Sequence, residues 1–282
     1  MMNALKYSKH ATYHLEVIRD IYRNYIPSMN ILKNTPFSAM DIGCGSGEVS
    51  LKVLHPLLPK NLVKLTGIDN DISMIERCEH LDVESNISFQ LMDISSKNLP
   101  EEMKRSYDVL FSSYCFTGVR NLRQGLRNSY DILKPDGELL FVFMYKKNYL
   151  FSTYRKMSRL HLWKTLLEEY ANFVPHFCED NPELKLKELF EEAGLSILRY
   201  EFRSNLNLES TAKAILEVYK SLDTIHPRIP KDKRLLYMED FNRIFSEETG
   251  INVMDETKLE EVIQMNFPTV IVHAKREDVK RK

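Results

Sequence analysis

The chain has 282 residues, 43% apolar and 28% charged, with 39 Lys and Arg against 40 Asp and Glu for a formal net charge of −1. That is the composition of a globular protein long enough for one elaborated domain, and the balanced charge removes the electrostatic argument for a nucleic-acid partner. The longest apolar run, Leu139 to Met144, is far short of the roughly 20 residues that span a bilayer, and the N-terminus lacks a signal peptide's apolar core. A cytoplasmic protein with no membrane partner is therefore expected.

In chain order, Leu15, Ile18, Ile21, Tyr22 and Tyr25 recur at helical spacing and predict an amphipathic helix ending before Pro27. The short apolar run Phe37–Met40 predicts a strand. It runs straight into Asp41-Ile42-Gly43-Cys44-Gly45-Ser46-Gly47, after which Val49, Val53 and Leu54 predict a helix closed by Pro56 and Pro59. Further strands are expected at Leu62–Ile68, ending in Asp69; at Ile87–Met92, ending in Asp93; and at Tyr107–Ser112. A helix carrying Ile72, Ile75 and Cys78 and another at Leu122–Leu133 lie between and after them. The second of these stops at the turn Lys134-Pro135-Asp136-Gly137, before a strand at Glu138–Met144.

Strands alternating with helices indicate a parallel sheet covered on both faces. From Lys146 to about Asn181 the alternation lapses into an aromatic-rich helical stretch with the single tryptophan, Trp163. It resumes with helix Leu184–Ala193, Gly194 at the C-cap position and strand Leu195–Phe202. Residues 208–264 read as largely helical, broken at His226–Pro230, and Phe267–Ala274 as the last strand. The charged end, Lys275–Lys282, is expected to fray. The domain reading is a single unit over 1–282: an N-terminal helical lid at 1–36, a cofactor-binding core at 37–145, a helical cap at 146–182, and completion of the sheet with a helical insertion at 183–282.

Only 9 glycines occur in the chain, yet Gly43, Gly45 and Gly47 fall together between a strand and a helix. Glycine there admits positive φ and lets a ligand approach the backbone at a helix N-terminus. The dinucleotide fingerprint G-x-G-x-x-G fails because position 48 is Glu48, and a Walker loop fails because no Gly-Lys-Ser/Thr follows. The remaining pattern, Asp-x-Gly-x-Gly-x-Gly, resembles the class I methyltransferases that use S-adenosyl-L-methionine and release S-adenosyl-L-homocysteine.

That resemblance implies an α/β, Rossmann-like fold with a mostly parallel seven-stranded sheet, helices on both faces and a helical substrate cap. It also implies a cofactor site built from Asp41, Gly43, Cys44, Gly45, Ser46 and Gly47. Asp69 would take the ribose hydroxyls, with Asn70 beside the adenine. Asp93 and Ile94 would meet the adenine amine and ring, and Ser112 and Ser113 would line the methionine arm. No metal is expected, since no His/Asp/Glu cluster has ligand spacing and Cys44, Cys78, Cys115 and Cys178 form no C-x-x-C pair.

Beyond this core the chain is similar to the juvenile hormone acid O-methyltransferases of arthropods. The similarity is carried by the Tyr7 segment, Phe151–Arg155 with Trp163, Pro175–Phe177, Lys185–Ala193 with Gly194, and Ile229–Asp232. It implies methylation of a carboxylate on an apolar acid under an aromatic cap, with Phe151, Tyr154, Trp163, Phe173 and Phe177 lining the acceptor pocket beside Tyr7 and Tyr114. Two positions depart from the family. His14, or Tyr13 if the alignment slips by one, stands where a substrate-holding glutamine is usual, and Thr117-Gly118 replaces a His-Trp pair.

A carboxylate is ionised at neutral pH and needs no base, whereas a phenol with a pKa of about 10 gains from a neighbouring imidazole. His14 together with the smaller Thr117 and Gly118 therefore points to a compact phenol as acceptor, His14 being the catalytic base. A carboxylic acid of the juvenile hormone acid or farnesoic acid type is the alternative, and a catalytically silent S-adenosylmethionine-binding module is a second one. In each case the partner is a small molecule, with no obligatory protein partner evident.

Overall fold

The computed structural model describes residues 7, 9, 13–30, 35–145, 149–171, 182–204 and 206–277. Seven strands form the central sheet: β1 (Phe37–Ile42), β2 (Leu62–Asp69), β3 (Ile87–Leu91), β4 (Tyr107–Ser113), β5 (Leu133–Met144), β6 (Leu195–Arg203) and β9 (Thr269–Arg276). Their order is β3-β2-β1-β4-β5-β9-β6. Five run parallel from β3 to β5, and β9 inserts antiparallel between β5 and β6. Strands β7 (Asn207–Thr211) and β8 (Val262–Asn266) pair separately as a ribbon.

The central strands read as near-continuous apolar runs because both faces of the sheet are covered. Phe37, Ala39, Val109, Phe111, Leu140, Val142 and Ile271 belong to one core, which the Tyr13–Tyr25 helix closes with Leu15, Ile18, Ile21, Tyr22 and Tyr25. Alternate residues, Met40, Ile42, Leu110, Leu139, Phe141 and Val272, belong to the other, beneath Leu122 and Leu126 of the helix Leu122–Ile132 and Leu186 and Phe190 of the helix Pro182–Glu192. Consecutive parallel strands lie on opposite sides of β1. The chain leaves β1 for β2 on one side, and β4 begins the other half of the sheet, so a crevice opens at the C-terminal ends of β1 and β4.

Four local readings of the sequence are modified by the structure. Pro56 does not close the helix after the glycine turn. Its ring cannot sit beside the carbonyl four residues back, and the backbone widens into a π-turn over Ser50–Leu54, with the His55 N–H on the Ser50 carbonyl, before continuing as His55–Leu57. The turn at Lys134–Gly137 does not delay β5. Leu133 already pairs with Tyr107 and Glu138 with Val109, so the four residues bulge from a strand in progress, and Asp136 takes φ +62°. The stretch 208–264 holds the helices Ala212–Ser221 and Arg234–Thr249, but they are enclosed by β7 and β8. Pro268, with no N–H to donate, separates β8 from β9 and moves the start of the last strand to Thr269.

The helices Tyr149–Met157 and Arg234–Thr249 pack together as the cap. Its centre is a buried carboxylate: Asp223 Oδ1 accepts the hydroxyls of Tyr154 (2.6 Å) and Tyr237 (3.2 Å) and the backbone N–H groups of Ile225 (2.9 Å) and His226 (3.0 Å). Beside it Trp163 stands edge-on to Tyr237 and donates its indole N–H to Asp240 at 2.9 Å. Among the described residues no helix is both long and apolar enough to cross a membrane.

Trp163 is 1% exposed. Replacing it with Ala leaves a large cavity and removes the indole donor from Asp240 Oδ2, and should cost about 3–5 kcal/mol in urea denaturation. A loss under about 1 kcal/mol would contradict its place in the cap's core.

Candidate functional site

The crevice is built on the turn between β1 and the following helix. Gly43, Gly45 and Gly47 take φ +73°, +55° and +85°. The N–H groups of Gly43 and Cys44 both donate to the Ile68 carbonyl, at 2.8 and 2.9 Å, which ties the turn to the end of β2. At Gly43 a Cβ would lie 2.2 Å from Cys115 Cβ, so both the backbone angle and the neighbouring loop demand glycine. The outer surface of Gly45 faces the ring of Tyr7, 3.6 Å from where a Cβ would stand.

Two buried acids flank this turn. Asp69, at the end of β2, accepts the Gly45 N–H through Oδ2 (3.0 Å) and the Asp71 N–H through Oδ1 (2.9 Å), and burial raises its pKa above the usual carboxylate value. Asp41, at the end of β1, accepts the Ser50 hydroxyl at 2.5 Å. Burial, reinforced by the charge of Asp69, pushes Asp41 up to about 6.

Cys44 is buried under the turn, its thiol pushed up by the adjacent Cys78 thiol and by burial. The hydroxyl of buried Ser46 donates to Glu48 at 2.5 Å. Ser112 is also buried and donates to the Ile42 carbonyl (2.9 Å), while the Ser113 hydroxyl lies 2.7 Å from that of Tyr22.

Asp41, Gly43, Cys44, Gly45, Glu48, Val49, Ser113, Tyr7 and His14 together line an enclosed cavity of about 30 Å³. His14 lies between two tyrosines, with ring centroids 6.3 Å from Tyr7 and 6.3 Å from Tyr114. Burial lowers its pKa to about 4, so the imidazole is neutral at pH 7. Tyr114 holds φ +64°, a conformation a bulky residue rarely adopts, and its ring stands edge-on to Phe267 at 5.8 Å.

A separate groove of about 570 Å³ is lined by Ala212, Ile251 and Met265 together with polar residues, among them Asn252, Lys258, Glu261 and Gln264.

Other residues expected at the site do not line this cavity. Asn70 is exposed beside Asp69, and Asp93 is exposed and caps its own turn through the Ser95 N–H and hydroxyl, both at 2.8 Å. Ile94 is buried in the sheet core beneath the Leu122–Ile132 helix. Thr117 accepts the Met144 N–H at 3.0 Å and so fixes the end of β5, while Gly118 is exposed at the close of the Cys115–Thr117 turn.

Trp163 and Tyr154 spend their polar atoms on Asp240 and Asp223 inside the cap, and Phe151 stacks on Tyr170 at 6.0 Å, so none of the three lines the cavity. Phe173, Phe177 and the Tyr13 side chain lie outside the described residues. Glu48, Val49, Cys115 and Tyr22 join the site without having been expected there. Glu48 was visible only as a mismatch to the dinucleotide pattern, and Cys115 and Tyr22 carried no motif.

With this geometry in place, comparison with known proteins is informative. The family described as "Methyltransferase domain" matches residues 40–141. Juvenile hormone acid O-methyltransferase of Drosophila melanogaster is 28% identical over 204 residues, covering 72% of this chain and 68% of that protein. The Bombyx mori protein of the same name is 27% identical over 247 residues, covering 84% of each. A solved structure assigned as a sarcosine dimethylglycine methyltransferase from Galdieria sulphuraria superposes with TM-score 0.53 at 12% identity, over 93% of this chain and 86% of that one, which speaks to the fold alone.

The sheet order, the glycine turn and these relatives define a class I methyltransferase. By similarity to these relatives the chain is an S-adenosylmethionine-dependent O-methyltransferase.

The residues fit that cofactor. The backbone of the glycine turn would take the cofactor closely, Asp41 would face its cationic ammonium and Asp69 would accept the ribose hydroxyls. When bound, S-adenosylmethionine supplies an electrophilic methyl group on a sulfonium. Glu48, whose carboxylate would repel a pyrophosphate, is compatible with a cofactor that carries none.

Because Asp41 titrates near pH 6, it is ionised at pH 7.5 and protonated at pH 5. A cationic ammonium favours the ionised form, so binding releases a proton below pH 6 and affinity must fall as the pH drops. Calorimetry with S-adenosylhomocysteine should show affinity falling by up to about tenfold per pH unit below 6. Asp41→Asn should bind weakly and show a flat profile. Equal wild-type affinity at pH 5 and 7.5 would contradict the assignment.

Proposed function

We propose that this enzyme methylates the carboxylate of a small apolar acid, with residues 1–36 and 146–182 closing over the acceptor within one methyltransferase domain. The observation that carries the reading is the half-buried, neutral His14 beside the glycine turn. An imidazole whose conjugate acid has a pKa of about 4 is roughly six units too weak to take the proton of an ordinary phenol of pKa about 10, a deficit of about 8 kcal/mol. The phenol reading depended on that proton transfer. A carboxylate arrives without a proton to lose, and a neutral imidazole can donate its N–H to one carboxylate oxygen while the other attacks.

Two further observations support this reading. The relatives aligned over most of the chain are named as acid O-methyltransferases. The rings of Tyr7 and Tyr114 flank His14 with aromatic surface suited to an apolar acid. Displacement at a methyl sulfonium demands alignment and exclusion of water, which an enclosed cavity provides.

The test is turnover of purified protein with methyl-labelled S-adenosylmethionine against paired apolar acids and matching phenols. Methyl ester from the acids alone is expected; phenol ethers alone would overturn the proposal. Binding of S-adenosylhomocysteine with no turnover of either set would instead mark a silent cofactor-binding module. His14→Gln retains a donor and should stay within about tenfold of wild type, whereas His14→Leu should lose roughly 10- to 100-fold, the worth of one hydrogen bond to a charged group. Equal loss in both variants would contradict the donor role.

A further inference from the structure

The Tyr13–Tyr25 helix was readable as a lid segment with an apolar underside, and Tyr22 as one of its core positions. Its ring meets that description: it is fully buried and packs edge-on against Phe111 of β4 at 5.4 Å. Its hydroxyl does something else. It lies 2.7 Å from the hydroxyl of Ser113, at the tip of β4, and Ser113 lines the cavity with Asp41, the glycine turn and His14. Tyr22 and His14 are eight residues apart on the same helix, about 12 Å along its axis and on one face. One helix thus reaches the site twice, directly through His14 and indirectly through the Tyr22 hydroxyl.

A phenol is a stronger acid than an aliphatic alcohol and so the better hydrogen-bond donor of the two. Tyr22 also stays protonated, because burial and the charge of Asp41 hold its pKa well above the ordinary tyrosine value. With Tyr22 donating, the Ser113 oxygen is an acceptor toward the helix and its hydrogen is free to point into the cavity. Reversing the pair would turn that hydrogen away from the site.

We infer that Tyr22 is a positioning residue that orients the Ser113 hydroxyl as a donor toward the amino-acid end of the cofactor, coupling the seating of the N-terminal helix to cofactor affinity. This rests on the class of the enzyme and not on the identity of its acceptor. The alternative is that Tyr22 is only a satisfied core phenol, and the two make different demands on binding.

Tyr22→Phe keeps the ring on Phe111 and removes one oxygen. Calorimetry should show S-adenosylhomocysteine binding weakened about 5- to 10-fold, with the melting temperature of the cofactor-free protein within about 2 °C of wild type. Ser113→Ala should weaken binding similarly, and the double variant should bind no worse than Ser113→Ala, because the tyrosine acts only through the serine. Tyr22→Leu, which also removes the ring, is the packing control and should lower the melting temperature strongly.

Wild-type affinity in Tyr22→Phe overturns the proposal, as do losses that multiply in the double variant. If Tyr22→Phe does not fold, Ser113→Ala decides alone, and unchanged affinity there overturns it.

Discussion

Everything at the site depends on one polar clamp at the sheet's switch point. The Ile68 carbonyl takes the N–H groups of Gly43 and Cys44, and the neighbouring Asp69 carboxylate takes that of Gly45. Three successive backbone donors or their neighbours are thereby fixed to the end of one strand, and the left-handed angles that only glycine tolerates cheaply follow from that fixation. Without the clamp, Asp41 and Asp69 would have no common surface to charge. With it, two buried carboxylates sit beside a helix N-terminus that leaves no room for side chains, which suits a compact cation carried on a nucleoside.

The same burial sets the chemistry on both sides of the cavity. It raises Asp41 toward neutral pH, so the cofactor side meets a carboxylate whose ionisation a cation must stabilise. It lowers His14 to about 4, so the acceptor side meets a neutral imidazole fit to donate a hydrogen bond and poorly fit to remove a proton. One physical cause therefore argues for a cationic cofactor and for an acceptor that is already anionic. Tyr114, held at positive φ between His14 and Phe267, packs beside the histidine of this cavity, where backbone strain is often kept for function.

The core of the fold was legible because its signals are local. The strand-turn-helix around Gly43–Gly47 and the acid at the end of β2 are each read from a few adjacent residues, and the helix from Tyr13 to Tyr25 from its 3.6-residue period. What escaped was set by tertiary placement. Cys115 meets Gly43 across the loop after β4, and Tyr22 reaches Ser113 from 91 positions earlier in the chain, contacts that no spacing encodes.

Trp163 and Tyr154 looked like pocket residues because aromatic composition cannot distinguish a pocket wall from a core. Only the buried acceptors Asp240 and Asp223 show which they are. The polar strand Asn207–Thr211 showed no alternating apolar pattern, and among the described residues its partner Val262–Asn266 pairs with no other strand, so the ribbon was hidden within a stretch that read as helical. On the acceptor side the motif preferred a phenol at His14, whereas the relatives aligned over most of the chain are named as acid O-methyltransferases.

The most direct test of the account is a crystal structure of the protein with S-adenosylhomocysteine. At about 30 Å³ the cavity is smaller than a nucleoside, so the account expects the Tyr7 ring to have left the surface of Gly45, with the ribose hydroxyls on Asp69 and the amino-acid end near Asp41 and Ser113. A complex in which the ligand binds away from the glycine turn, with Tyr7 still over Gly45 and Asp69 untouched, would contradict it.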